Sequence, residues 1–201
     1  MVKPSGLLSV PGRGEHLQDS LYTRILGEYP LAQMVHRLDM DTSGVMVVAL
    51  RRKAERALKE QFRVRTVKKR YEAIVAGVPS RPTGTIDQPL KPHPTLKLRH
   101  VVNPAGKPSR TEYTTIRSHQ QYSWLGLRPH TGRSHQLRVH LEHLGCPIVG
   151  DRFYAPSDVC SRSNRLMLHA SELTFAHPYS GEEIHCVAPS GFASWWNSHR
   201  E

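Results

Sequence analysis

Short β-rich segments outnumber helical ones in this chain and do not alternate with them, which leaves few folds open to it. Val45-Met46-Val47-Val48-Ala49-Leu50 is a continuous apolar run, suited to a strand covered on both faces. Further β patterns cover 71–76, 109–116, 122–127, 166–168, 173–176 and 183–188. Helical spacing is confined to three places. Between Lys53 and Arg65, Ala54, Ala57, Leu58, Gln61 and Phe62 recur with charged residues between them. From Ser134 to Leu144, Leu137, Leu141 and Leu144 share one stripe, and Gly145 stands where a helix would stop. Trp195-Trp196 marks a short terminal helix. This order predicts an α+β fold with a largely antiparallel mixed sheet flanked by helices and loops, not a doubly wound parallel one. The softer stretch from Gly77 to Pro108 reads as loops around a short strand near Thr85 to Leu90 rather than as a domain boundary.

Partner chemistry follows from charge. Lys and Arg total 28 against 17 acidic residues, a net +11 before any histidine protonates. Such an excess favours a polyanion, because neutralising phosphates releases condensed counterions. The basic residues are spread along the chain rather than gathered in an amphipathic helix or tail, so nucleic acid fits better than a membrane surface. No apolar run approaches the roughly 18 residues of a membrane span, and Met1 to Gly6 is too short and broken for a secretion signal. Cys146, Cys160 and Cys186 are odd in number and form no C-x-x-C pair, which points to a reducing, cytoplasmic setting.

Three clusters could carry chemistry. The densest is His36-Arg37-Leu38-Asp39-Met40-Asp41-Thr42-Ser43-Gly44, set immediately before the apolar run. Polar residues there would be held near a sheet end, a rigid place for a nucleophile or base. Arg37 lies beside Asp39, and a nearby cation favours an ionised carboxylate able to act in either role. The same residue types also cap turns, and composition alone does not separate the two readings. An aspartic-protease reading of Asp41-Thr42-Ser43-Gly44 needs a second such segment, and there is none. The second cluster, Arg128 to His140, crosses from a strand through a glycine turn into a helix. His135 and His140 are five apart, about 500° of rotation, so they do not share a helix face. No cysteine or carboxylate completes a metal set with His140 and His143. Arg133 and Arg138 at a helix start suit an anion better, and their own five-residue step points them in different directions. The third cluster, Lys68-Lys69-Arg70-Tyr71, sets cations beside a ring that can stack on a base.

Taken together, H-R-L-D-x-x-T-S-G, K-K-x-Y and G-R-S-H-Q-L-R-V-H, in this order, resemble the RluA family of pseudouridine synthases. The likeness runs from Lys3-Pro4-Ser5-Gly6-Leu7-Leu8 through Gly145 to Tyr154 and Leu166 to Ala170, nearly the whole chain. Within the family it is greatest to the compact members that modify both a tRNA anticodon stem-loop and a 23S ribosomal RNA hairpin. The resemblance implies that Asp39 is the catalytic aspartate, acting by attack at ribose C1′ or through a glycal route. It implies that Arg37 fills the space of an extruded uridine, that Tyr71 packs on the target uracil and that Arg138 pairs with Asp39. Arg133 and His130 are placed near RNA. No metal, organic cofactor, membrane or obligate protein partner is implied.

Residues 1–201 are expected to form a single catalytic domain. The strand that relatives place before K-P-S-G is expected to be missing, through loss of an edge strand or a truncated start, and no S4-like RNA-binding module is expected. A catalytically silent RNA-binding protein on the same scaffold is the rival reading, and a metal-dependent nuclease using the histidines is a second.

Overall fold

The structure, a computed structural model, describes residues 1–199. In chain order the elements begin β1 (Val2–Lys3), α1 (Leu21–Glu28), β2 (Gln33–Met34), β3 (Ser43–Val45), β4 (Val48–Ala49) and α2 (Arg52–Arg63). Then follow β5 (Lys68–Ala76), β6 (Thr83–Asp87), β7 (Leu90–Pro92), β8 (His100–Val102), β9 (Arg110–His119) and β10 (Tyr122–Pro129). The chain ends with α3 (Gln136–His143), α4 (Ser157–Cys160), β11 (Leu168–Ala176), β12 (Glu183–Val187) and α5 (Ala193–Ser198). No helix among the described residues is long and apolar enough to cross a membrane. The chain divides into two compact units, Met1–Lys69 with Ala170–Pro189, and Arg70–His169 with the segment from Ser190 onward. It passes from one to the other inside β5 and inside β11.

In the first unit β1 runs antiparallel to β3, with Val2 opposite Val45 and Lys3 opposite Gly44. A ribbon pairs β2 with β4, and β11 runs antiparallel to β12 from Glu172–Val187 to Ala176–Glu183. The helix α2 buries Ala54 and Leu58 and rests Phe62 against Val35, Val45, Ala49, Val67, Leu173 and Phe175. These are the i, i+4, i+8 positions expected of an amphipathic helix. Gln61, on the same side, does something a helix residue seldom does. Its amide accepts from the Ala176 N–H and donates to the Ala176 carbonyl, both at 2.9 Å, so it completes the end of β11 like a neighbouring strand.

The apolar run at 45–50 is not one buried strand. It breaks into β3 and β4, and Leu50 is exposed. The cause is a competing acceptor: the Val47 N–H donates to His36 Nε2 at 3.0 Å instead of joining a ladder. His36 is stacked on Phe62 at 4.5 Å, and burial pushes its pKa down to about 4, helped by the charges of Lys69 and the N-terminus. It is a neutral structural histidine, with Nε2 held as an acceptor. Helix α1, which the sequence pattern did not predict, starts at a capping box in which Ser20 and Thr23 satisfy each other's backbone N–H groups.

The second unit is built on β5, β10, β9 and β6, each antiparallel to the next. Tyr71 lies opposite Leu127, and an irregularity between Trp124 and Leu125 shifts the register against β9. The core beneath holds Ile74, Leu125, Leu141, Ile148, Val149 and Phe192, each at most 1 % exposed. Burying such side chains stabilises by roughly 1.5–3 kcal/mol apiece. The 77–108 stretch carries more regular structure than expected, with β6 followed by the β7–β8 hairpin. The α+β class and the antiparallel pairing agree with the sequence pattern, as do α2, α3 and α5.

Gly44 has φ +129°, and a Cβ there would lie 2.3 Å from the Ala170 carbonyl oxygen and 2.4 Å from its nitrogen. Gly44→Ala should therefore destabilise by at least about 3 kcal/mol, since backbone cannot yield as a flexible side chain would. Urea unfolding with a parental midpoint would contradict this. A second outcome concerns His36, whose folded pKa is about 4 against 6.5 for the free ring. The unfolded chain takes up the proton first, so the stability tied to neutral His36 is present above pH 6.5 and lost as pH falls towards 4. The parent should lose stability relative to His36→Gln over that window, with a slope of up to about 1.4 kcal/mol per pH unit. A pH-independent difference in urea titrations would refute it.

Candidate active site

In the first unit, residues 35–42 link β2 to β3 and turn sharply at Asp39 to Thr42, where the Thr42 N–H donates to the Asp39 carbonyl at 3.2 Å. Leu38 is buried and its backbone is clamped by Ser9. The Leu38 N–H donates to Ser9 Oγ at 3.0 Å, and that hydroxyl donates to the Leu38 carbonyl at 2.7 Å. With Leu38 turned inward, its neighbours are left outward: Arg37 is exposed and Asp39 half-buried. Ser5 Oγ donates to the Asp41 carbonyl at 2.6 Å, and the Gly6 N–H to the Met40 carbonyl at 3.0 Å. The backbone on either side of Asp39 is thus held by side chains and N–H groups from residues 5–9.

Under this turn lies Lys3, fully buried. Its ammonium donates to the carbonyls of Pro4 (2.8 Å), Leu7 (2.7 Å) and Met40 (2.8 Å). Three donors meet three acceptors, which is what a buried charge requires. Burial lowers its pKa to about 8, while the negative charges of Asp41 and then Asp39 work in the opposite direction. At neutral pH Lys3 is still mostly protonated, a cation inside the fold within electrostatic reach of both carboxylates. Reasoning from residue types missed this role, because a lysine near a chain start is usually solvated. Its place in K-P-S-G was the available signal.

In the second unit, Tyr71 sits half-buried on β5. His130 Nε2 lies 2.9 Å from the Glu112 carboxylate, and Arg128 is 3.8 Å from the same group. The glycine turn is organised by a residue the sequence reading passed over, Gln136. Its Oε1 accepts from Thr131 Oγ1 (2.7 Å) and the Arg133 N–H (3.0 Å). Its amide nitrogen donates to the Arg110 carbonyl and to Thr111 Oγ1, each at 3.0 Å. Buried His140 extends the network: Nε2 donates to the Gln88 carbonyl (3.0 Å), so Nδ1 accepts from Thr111 Oγ1 (2.9 Å). Burial lowers its pKa, in keeping with that neutral form.

Helix α3 starts at Gln136, so Arg133 precedes it, half-buried, with Nε donating to the Pro108 carbonyl at 3.3 Å. Arg138 differs: it is 2 % exposed and makes a two-pronged ion pair with Asp151, Nε to Oδ2 at 2.8 Å and Nη2 to Oδ1 at 2.7 Å. His135, in the left-handed region at φ 55°, meets the Tyr154 hydroxyl at 2.7 Å through Nδ1. Nδ1 of His135 and both ring nitrogens of His140 are therefore engaged by protein groups. Among the described residues, no three of His, Cys, Asp and Glu converge as metal ligands do.

This chemistry has counterparts in known proteins. A family model described as RNA pseudouridylate synthase matches residues 1–143. The dual-specificity RNA pseudouridine synthase RluA of Escherichia coli (strain K12) is 51% identical over 192 residues, spanning 94% of this chain and 88% of the relative. The protein of that name from Yersinia pestis is 49% identical and covers 94% and 93%. Among solved structures, human RNA pseudouridylate synthase domain containing 1 superposes with a TM-score of 0.76 at 30% identity, over 85% of this chain and 74% of that one. Human RNA pseudouridylate synthase domain containing 4 gives 0.75 at 26% identity, over 98% and 87%. By sequence over nearly its full length, and by fold, the chain belongs to the RluA family of RNA pseudouridine synthases.

Proposed function

We propose that the enzyme isomerises uridines in two structured RNAs, a tRNA anticodon loop and a 23S ribosomal RNA hairpin, with Asp39 as its catalytic carboxylate. The observation that carries this is the acidic turn itself. Asp39 is half-buried beside exposed Arg37, on backbone fixed by Ser9 and Gly6 and by the Lys3 ammonium on Met40. A carboxylate held in this way needs no rearrangement before meeting a ribose.

The N1–C1′ bond breaks, the uracil turns, and a C5–C1′ bond forms; N1 ends protonated and C5 gives up its proton, so no atoms are gained or lost. Asp39 serves either as the nucleophile at C1′ or as the group that assists cleavage on a glycal route. A paired uridine must leave the stack first. Exposed Arg37 is suited to fill the space it vacates, and Tyr71 to pack on the extruded ring. Arg138 is the cation that the family resemblance assigns to the reaction. Arg133 and His130, on the glycine turn, approach the RNA backbone, drawn by the +11 charge. No cofactor takes part. The three cysteines are free thiols, in keeping with a cytoplasmic enzyme.

Purified protein incubated with transcribed tRNA stem-loops and 23S hairpins should convert one uridine in each, mapped chemically. Arg37→Ala should slow single-turnover conversion about 10- to 100-fold, because extrusion costs a few kcal/mol that the guanidinium offsets. Tight binding of both RNAs with no pseudouridine formed would instead establish a silent RNA-binding protein. Modification of one hairpin alone would refute dual specificity.

A further inference from the structure

We propose that Leu98, at the tip of the β7–β8 hairpin, packs on a base splayed from the loop of an RNA substrate and so takes part in choosing that RNA. The inference rests on the reading that structured RNA hairpins are the substrates. All of its parts lie in the second unit. Leu98 is 77 % exposed and Leu96, two residues earlier, 45 %. Single exposed leucines are ordinary on a surface, but two at one tip form a patch. Leu98 also holds φ +67°, at the third position of a turn in which the Arg99 N–H donates to the Leu96 carbonyl at 3.2 Å. Glycine or asparagine is the usual occupant there. The fold gains nothing from a strained, solvated leucine, so the outlier points to function.

The tip is braced, so Leu98 is presented rather than loose. His93 Nδ1 accepts the Leu96 N–H at 3.0 Å and the Thr95 N–H at 3.3 Å, and the His93 N–H donates to the Arg99 carbonyl at 2.9 Å. Below the tip, β7 and β8 pair from Leu90–Val102 to Pro92–His100. Leu90 and Lys107 exchange backbone hydrogen bonds at 3.0 and 2.8 Å. The His100 N–H donates to the Tyr154 hydroxyl at 2.8 Å, and the Arg99 guanidinium stands 5.7 Å from the Phe153 ring.

Charge decides between occupants. From Gln88 to Thr111 the chain carries Lys91, Lys97, Arg99, Lys107 and Arg110 and no acidic residue. Lys97, between the two leucines, is exposed. A second copy of this chain would crowd like charges around the leucines. An RNA loop offers phosphates to the cations and, on each unstacked base, an apolar face to the leucine. A paired stem hides those faces, so the contact belongs to a loop and reads its shape.

Leu98→Asn tests this, since asparagine tolerates the left-handed backbone while removing the apolar surface. Its melting temperature should equal or exceed the parent's. Its Kd for at least one of a transcribed tRNA stem-loop and a 23S hairpin should rise about 5- to 20-fold. The slope of log Kd against log salt should not change, because no phosphate contact is lost. Each loop nucleotide other than the converted uridine is then replaced in turn by an abasic one. At one position the abasic RNA should weaken the parent as much as Leu98→Asn does, and weaken the variant no further. Losses that multiply at every position overturn the inference, as does a flattened salt slope. A parent that sediments as a dimer beside a monomeric Leu98→Asn assigns the leucines to a second copy and also overturns it. A parent that binds neither hairpin rejects the substrate reading and the inference with it; a parental Kd for the variant beside a binding parent rejects this inference alone.

Discussion

A lysine ammonium with no exposure to solvent is costly unless each of its donors has a partner. Lys3 meets that condition with three carbonyls, and one of them belongs to Met40, the residue after Asp39. The acidic turn therefore cannot shift without leaving a buried cation unsatisfied. Ser9 and Ser5 tie down the carbonyls of Leu38 and Asp41 on either side. A turn between two short strands would ordinarily be among the looser parts of a fold. Here each carbonyl from Leu38 to Asp41 accepts a hydrogen bond, so the backbone that carries Arg37 and Asp39 is rigid.

The second unit solves a similar problem with different groups. Helix α3 is buried on nearly every side, and Gln136, Arg138 and His140 would each be a liability there without partners. Gln136 and His140 are satisfied through Thr111, Thr131 and backbone carbonyls, and Arg138 through Asp151. The G-R-S-H-Q-L-R-V-H segment is thus divided by function. Gln136, Arg138 and His140 build the turn and the helix from inside, and Arg133, ahead of the helix, keeps more contact with solvent.

Much of this was legible in the residues. The α2 stripe, the glycine stop after α3 and the alternating strands have periodicities that packing reinforces. The break in the 45–50 run was not legible, because it depends on His36, eleven residues earlier, offering an acceptor to Val47. Helix α1 was missed because its capping box has Thr23 where Glu or Gln is the usual signal. At the site, the motif pattern singled out Asp39, Arg37, Tyr71 and Arg138. It included Lys3 and Gln136 without giving either a role, because their part in holding the backbone comes from burial and from partners distant in sequence. Charged and polar residues that hold a site from beneath look in a sequence like the many that face water.

On the proposal that Asp39 is the catalytic carboxylate of this RNA pseudouridine synthase, the rigid turn serves to present it. The most direct measurement is single-turnover pseudouridine formation by Asp39→Asn on a hairpin that the parent converts, with the melting temperature and RNA affinity of both proteins determined alongside. The expected result is an unchanged fold, retained RNA binding and no detectable product. Conversion at a rate comparable to the parent would contradict it and move the chemistry to another residue.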